Sequence, residues 1–177
     1  MRGVPPLGFE APPRTLIVEE PFSVSRTREG FRIGAGVLVP SGVRLSLPIG
    51  LHIGRGAVID GGVFAAGAVS TAPHVRVHGP VRAAGSVVLG AGSKVGGDVE
   101  AGGDARILPD GRVGGAVRAE GDVHLFSGAR VDGVVEAGGD IVVWGRAATG
   151  TLRPGGRVRT ETWPAPESVA AERGEPS

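Results

Sequence analysis

Residues 115–132 read GAVRAEGDVHLFSGARVD, and this pattern of residue types returns every 18 residues through the middle of the chain. Small or apolar residues alternate with polar ones, which is typical of a β-strand that buries every second side chain. A strict repeat of this kind predicts a repeat architecture. Four columns of residues 18 apart keep one residue type in five copies: Gly61, Gly79, Gly97, Gly115 and Gly133; Val63, Val81, Val99, Val117 and Val135; Ala65, Ala83, Ala101, Ala119 and Ala137; Gly67, Gly85, Gly103, Gly121 and Gly139.

A unit of 18 residues is too short for a strand and a helix, but it suffices for a closed coil of three short strands. Coils stacked at ~4.8 Å let each strand bond to its copies above and below, so that valine lies on valine. The alanine and glycine columns fit places where the coil is narrow or needs a positive φ. We therefore predict an all-β fold, a single-stranded β-helix (β-solenoid) of triangular coils.

The repeat also predicts the domain boundaries. Regular coils are expected over residues 43–150, and six of them give a rod of roughly 29 Å at that spacing. Phe31, Ile33 and Ala35 suggest a partial coil before them, and residues 152–158 suggest a last half-turn. The predicted solenoid domain is thus 25–158. Residues 1–24 carry five prolines, and the segment 159–177 is polar and contains proline, so we expect both segments to be disordered tails.

Composition narrows the functional classes. The chain has 33 glycines, 14 prolines, no cysteine and a formal net charge of +1. The absence of cysteine excludes disulfides and thiolate metal sites, and the small net charge gives no reason to expect a nucleic-acid partner. We find no signal peptide at the N-terminus and no run of the ~20 apolar residues that a membrane span needs. We therefore expect a cytoplasmic protein, with membrane association left open.

Candidate catalytic residues are few. His52 and His124 share a column but lie four coils apart, roughly 19 Å at the strand spacing, which is too far to share a metal or a proton. His74 and His78 are neighbours at a coil corner, with no carboxylate pattern nearby. The glycine-rich stretch 90–97 lacks the phosphate-binding sequence G-x-x-x-x-G-K-[ST]. We expect no catalytic site, metal or cofactor, and therefore not an enzyme.

Outward positions form three charged columns at the same spacing. An alternating column favours the register, because opposite charges on neighbouring strands contribute roughly 0.2–1 kcal/mol per pair. A basic column and an acidic column place like charges together, which costs stability. We interpret these two either as lateral ridges, pairing between filaments or touching an anionic partner, or as aids to solubility that block misassembly. The alternating, basic and acidic columns are Arg82, Glu100, Arg118 and Glu136; Arg76, Lys94, Arg112 and Arg130; and Asp104, Asp122 and Asp140.

The two ends of a solenoid expose unpaired backbone groups, and such edges are either capped or used for pairing. No amphipathic capping helix is visible in the sequence, so we expect the ends to be used. End-to-end contacts that do not close grow filaments. The alternative is that the end residues only complete the core and that the tails cover them. The expected polymerisation interfaces are Phe31, Ile33 and Leu38 at the N-terminal end, and Val143, Trp144 and Leu152 at the C-terminal end.

The repeats VRAAGSVVLGAGSKVGGDVEAGGD (81–104) and VRAEGDVHLFSGARVDGVVEAGGD (117–140) resemble bactofilins, bacterial polymer-forming cytoskeletal proteins. The resemblance extends over about residues 61–150. It implies a right-handed β-helix with disordered tails and a homopolymer that grows head to tail without nucleotide. Such a filament would be a scaffold for cell shape or protein localisation, with protein clients contacting its tails.

Two other interpretations stay open at this point. Apolar residues also recur every six positions, and fragments such as LGAGSK resemble the hexapeptide of left-handed acyltransferase helices, which are trimeric enzymes. The uninterrupted repeat over 61–150, however, leaves no inserted loop to build a substrate pocket. The third interpretation is a passive, monomeric scaffold or adhesion solenoid. Electron microscopy separates the three as filaments, compact trimers and single rods.

Overall fold

The computed structural model describes residues 24–28, 30–41 and 45–162, which form 23 short strands and no helix. The strands belong to three sheets, called A, B and C here. Sheet A contains β1 (Val24–Arg26), β2 (Gly30–Ile33), β5 (Gly50–Ile53), β8 (Val69–Thr71), β11 (Val87–Leu89), β14 (Ala105–Ile107), β17 (Val123–Leu125), β20 (Ile141–Trp144) and β23 (Val158–Glu161). Sheet B contains β3 (Leu38–Val39), β6 (Val58–Ile59), β9 (Arg76–Val77), β12 (Lys94–Val95), β15 (Arg112–Val113), β18 (Arg130–Val131) and β21 (Ala148–Thr149). Sheet C contains β4 (Leu45–Leu47), β7 (Val63–Ala65), β10 (Val81–Ala83), β13 (Val99–Ala101), β16 (Val117–Ala119), β19 (Val135–Ala137) and β22 (Leu152–Pro154).

The chain passes through sheets A, B and C once in every turn, which gives a β-solenoid of about seven turns. Strands of successive turns pair in parallel at the predicted spacing, as in Val81↔Val99 and Val99↔Val117. The fold predicted from the repeat is therefore confirmed. It accounts for the alternating burial along strands β4 to β19, because inward side chains stack into a common core while outward ones meet solvent.

The spacing changes at both ends of the rod. The first turn pairs residues 20 apart, as in Leu38↔Val58, and the period returns to 18 at Leu45↔Val63. Two residues are thus inserted between β3 and β4. In the last turn Val135 pairs with Leu152, a spacing of 17, so one residue is missing there. These changes explain why the sequence repeat predicts six regular coils with fragments, whereas the fold has about seven turns.

The strands extend slightly beyond the predicted domain 25–158. β1 begins at Val24, and β23 continues to Glu161 because it pairs along the full length of β20. The rest of the predicted tails, residues 1–23 and 163–177, lies outside the described residues, as does Val43 of the predicted first coil. β1 is also the one described strand that runs antiparallel to its neighbour, β2.

The glycine columns are explained by close backbone contact between turns. A Cβ atom added to Gly97 would lie 2.8 Å from the backbone nitrogen of Pro80 and 2.9 Å from the carbonyl carbon of Gly79. Positive φ does not explain these columns, so that part of the prediction is wrong. It is found instead at the corner between sheets A and B, where glycines alternate with His74 (φ 62°) and Asp110 (φ 61°).

Two hydroxyl side chains are buried in this otherwise apolar core. The Thr71 hydroxyl accepts a hydrogen bond from the Gly90 N–H (2.8 Å) and donates one to Ser93 Oγ (3.3 Å). Ser93 Oγ in turn donates to the Ala72 carbonyl (3.0 Å) and accepts from the Val75 N–H (3.1 Å). The Thr71 hydroxyl thus satisfies a backbone group after β11, and the Ser93 hydroxyl satisfies two after β8, so the pair links the same corner of the third and fourth turns.

We predict that Thr71→Val lowers the free energy of unfolding by about 1–3 kcal/mol, because valine keeps the shape but leaves the Gly90 N–H buried without its acceptor. Urea unfolding followed by circular dichroism at low protein concentration measures the loss. Thr149→Val is the matched control, since Thr149 lies half-buried on β21, the last strand of sheet B, and its side chain makes no hydrogen bond to any of the residues that the structure describes. An equal loss in both variants would show that the hydroxyl network contributes nothing.

Candidate assembly surfaces

The C-terminal end of the rod is formed by the last strands of the three sheets, β21, β22 and β23. Within the described part of the chain each of them has a strand neighbour on one side only. Leu152 on β22 is half-buried, and Val158 on β23 is 46% exposed although its neighbour in the column, Ile141, is fully buried. Open strand edges beside exposed apolar side chains are a template for another chain.

Of the three residues predicted for this interface, the structure brings only Leu152 to the end. Val143 and Trp144 lie one turn lower on β20, where β23 pairs with them, and the Trp144 ring stacks on Phe126 with centroids 6.0 Å apart. Val158 was missed. Its signal is present in the sequence, because Val158 continues the column of Ile141 once the missing residue in the last turn is allowed for.

The N-terminal end is different, because β1 lies across the edge of β2. β1 pairs with the strand that carries Phe31 and Ile33, and Ile33 is only 1% exposed. Leu38 lies on β3, the end strand of sheet B, and is 57% exposed, since its neighbour Val39 takes the inward position. The three predicted N-terminal residues are therefore not one patch, and only Leu38 is largely exposed.

The alternating column lies on the outer face of sheet C and is neutralised by its own ion pairs. Arg82 and Glu100 approach to 3.0 Å, and Arg118 bonds Glu136 at 2.8 Å. The hydrogen bond from Arg118 lowers the pKa of Glu136, and the same bond raises the pKa of Arg118. Arg153 adds a contact of 3.2 Å to Glu136 at the end of the column. This face supports the register, as the sequence predicts, and carries little net charge.

The basic column lies on the outer face of sheet B, in the predicted order. Arg76, Lys94, Arg112 and Arg130 occupy four successive turns in register, and all four are exposed. Within the described residues only Arg130 has an ion-pair partner, Asp132 at 3.0 Å. Sheet B therefore presents a line of charges that is mostly uncompensated.

The acidic column lies at the corner between sheets C and A, where its carboxylates also bond the backbone. Oδ1 of Asp104 accepts the Asp122 N–H (2.9 Å), Oδ1 of Asp122 accepts the Asp140 N–H (2.8 Å), and Oδ1 of Asp140 accepts the Arg157 N–H (2.8 Å). Asp140 also contacts Arg159 at 3.0 Å, whereas Asp104 and Asp122 have no cationic partner among the described residues. The 18-residue spacing alone does not show that these carboxylates also accept hydrogen bonds from the backbone of the next turn.

The histidines do not converge on one site. His52 Nδ1 contacts Ser70 Oγ at 2.9 Å, and His124 lies in the same column four turns on, as predicted. The expectation that His78 lacks a nearby carboxylate is wrong, because Asp60 of the preceding turn lies 2.7 Å away. Asp60 and His78 are 18 positions apart and become neighbours only because the turns stack. A search for carboxylates close to His78 in the sequence therefore does not find Asp60. No group of three histidine, aspartate or glutamate side chains suited to a metal is found in the described ranges.

A family model described as bactofilin, polymer-forming cytoskeletal, matches residues 51–159, which is more than half of the chain. The matched range begins in the second turn and ends in β23, so it includes six of the turns and the open C-terminal end. Neither the curated proteins nor the solved structures contain a match to this sequence. Among the described residues there is no helix that could span a membrane. The repeat, the stacked turns and the matched range agree, and the chain belongs to the bactofilin family of polymer-forming cytoskeletal proteins.

Proposed function

We propose that copies of this chain join end to end, head to tail, into filaments that act as a scaffold. The observation that carries the proposal is the C-terminal end, where three strands are open on one side and Val158 is 46% exposed beside Leu152. An edge of this kind gains both hydrogen bonds and apolar burial when a second copy docks. A head-to-tail contact uses different surfaces on the two partners, so it continues without closing.

The proposed filament grows without nucleotide. The open strand edges and exposed apolar side chains that would form the contact belong to the folded chain itself. Joining two copies through them needs no chemical step. We also propose that the filament is cytoplasmic and that protein clients contact it through the terminal segments 1–23 and 163–177. The family supports a structural role, since bactofilins are cytoskeletal and not enzymatic.

Negative-stain electron microscopy and sedimentation of the wild-type chain test the proposal, with and without ATP or GTP and Mg²⁺. We expect long filaments of one width under all conditions, with the same pelleted fraction. Filaments that appear only with nucleotide would contradict growth without it. Compact trimers would favour the acyltransferase-like alternative, and single rods at high concentration would contradict self-assembly.

A further inference from the structure

The basic and acidic columns lie on opposite sides of the rod. The chain passes from sheet A to B to C in each turn, so the corner between sheets C and A is opposite the outer face of sheet B in a triangular section. The basic column runs along that face, and the acidic column runs along that corner. A second copy displaced sideways, without rotation, therefore brings its acidic corner to the basic face of the first.

These two columns contain charges without ion-pair partners in the described part of the chain, whereas the charges of the alternating column on sheet C are paired. The fold neutralises the alternating column through ion pairs between successive turns, but it leaves Arg76, Lys94 and Arg112 without an acidic partner among the described residues. On the opposite side Asp104 and Asp122 have no cationic partner there either. Like charges on neighbouring strands cost stability, so an opposing column of the other sign recovers energy that the isolated rod loses.

We infer that filaments of this chain associate side by side, with the basic column of one copy against the acidic column of a second copy. Both columns repeat at the rise of one turn, ~4.8 Å, so a match at one turn is a match at every turn. Each aspartate comes about half a turn after a basic residue along the chain, Asp104 between Lys94 and Arg112 and Asp122 between Arg112 and Arg130. A sideways displacement with no axial shift thus places each carboxylate between two cations, roughly 2.4 Å from each along the axis.

The pitch favours a second copy over other polyanions. An extended acidic peptide presents side chains on one face every ~6.6 Å, so it falls out of step with a ~4.8 Å column at its next position and matches the column again only at about every third one, whereas a second copy matches it at every turn. Flexible nucleic acid needs no such match to bind a basic surface, so nuclease treatment is used to distinguish it from a second copy. Sideways contacts between unlike surfaces do not close, so they produce flat bundles. This inference rests on the proposed filament, but it involves different residues from the end contacts.

The test is the double variant Lys94→Glu/Arg112→Glu, compared with the control Arg106→Glu. Arg106 is exposed on the outer face of sheet A and has no ion pair within the described part of the chain, so its substitution reverses a charge on a different face of the rod. After nuclease treatment at low salt, we expect wild type and Arg106→Glu to pellet as bundles at low speed, and the double variant to pellet only at high speed as single filaments. Raising salt from about 0.1 M to 1 M shortens the Debye length from about 10 Å to 3 Å and should disperse wild-type bundles.

A second variant tests the acidic side without disturbing the fold. Asp104→Asn/Asp122→Asn keeps an Oδ1 atom to accept the backbone N–H bonds and removes only the charge. We expect it to bundle less than wild type at equal thermal stability. Bundles that persist in both charge variants, or wild-type rods that stay apart at low salt, would overturn the inference. Bundles lost on nuclease treatment would assign the basic column to nucleic acid and overturn it too. Single filaments of normal length in the double variant would leave the end contacts intact, so the two proposals fail separately.

Discussion

Leu152→Arg is expected to convert a sedimenting polymer into single rods. Leu152 lies on β22, the last strand of sheet C, in the column of Val135, and its side chain is half-buried with no turn above it among the described residues. An arginine there places a charge in the apolar part of the proposed contact, and an unpaired charge taken out of water costs several kcal/mol. Every 1.4 kcal/mol is about tenfold in affinity, so the contact should weaken by at least two orders of magnitude.

The Leu152→Arg variant should be left as a monomer if the filament is head to tail, and as a dimer if like ends join. If the contact is head to tail, every contact uses one C-terminal end, so the variant should remain monomeric in analytical ultracentrifugation. Dimers would instead mean that like ends join, through the N-terminal ends alone, and would contradict the head-to-tail arrangement. Thr151→Arg is the matched control, since it adds the same side chain one position away, at an exposed residue. Polymer retained by Leu152→Arg would contradict the use of this end.

The middle of the rod could be predicted from the sequence because each column reports a real neighbour. Where residues 18 apart share a column, the inward ones pack and the outward ones pair, as Arg82 and Glu100 do at 3.0 Å. Strand alternation fixes which side of the sheet a residue occupies. The same logic found the three charged columns in the correct order, since stacking a strict repeat allows only one register.

The ends were predicted less well because the repeat stops being strict there. The insertion of two residues before β4 and the loss of one before β22 change the spacing, so Val158 was not recognised as an end residue. β1 reverses direction and lies across β2, which a parallel repeat does not predict. The backbone bonds of the acidic column also escaped prediction. A column shows which residue types are neighbours, but not whether a carboxylate turns to solvent or to the backbone.

Gly97→Val tests the stacked turns themselves and should lower the free energy of unfolding by about 3 kcal/mol. An added Cβ already meets three backbone atoms of Gly79 and Pro80 at 2.8–2.9 Å, and none of them is the end of a flexible side chain. The neighbouring turn must therefore move, which strains the Gly97 N–H bond to the Gly79 carbonyl, 3.3 Å long, and the strand pairing on either side of the corner.

The matched control is Gly56→Ala, where nothing lies within 4 Å of an added Cβ and the only penalty is the positive φ of 70°. Such a conformation costs a residue other than glycine about 1 kcal/mol. Urea unfolding of both variants, each carrying Leu152→Arg so that single rods are compared, should separate the two costs. A loss at Gly97 no larger than that at Gly56 would mean that adjacent turns yield easily. The contact between turns would then not be what selects glycine in this column, whereas a clear excess at Gly97 ties the repeat directly to the spacing of the stacked backbone.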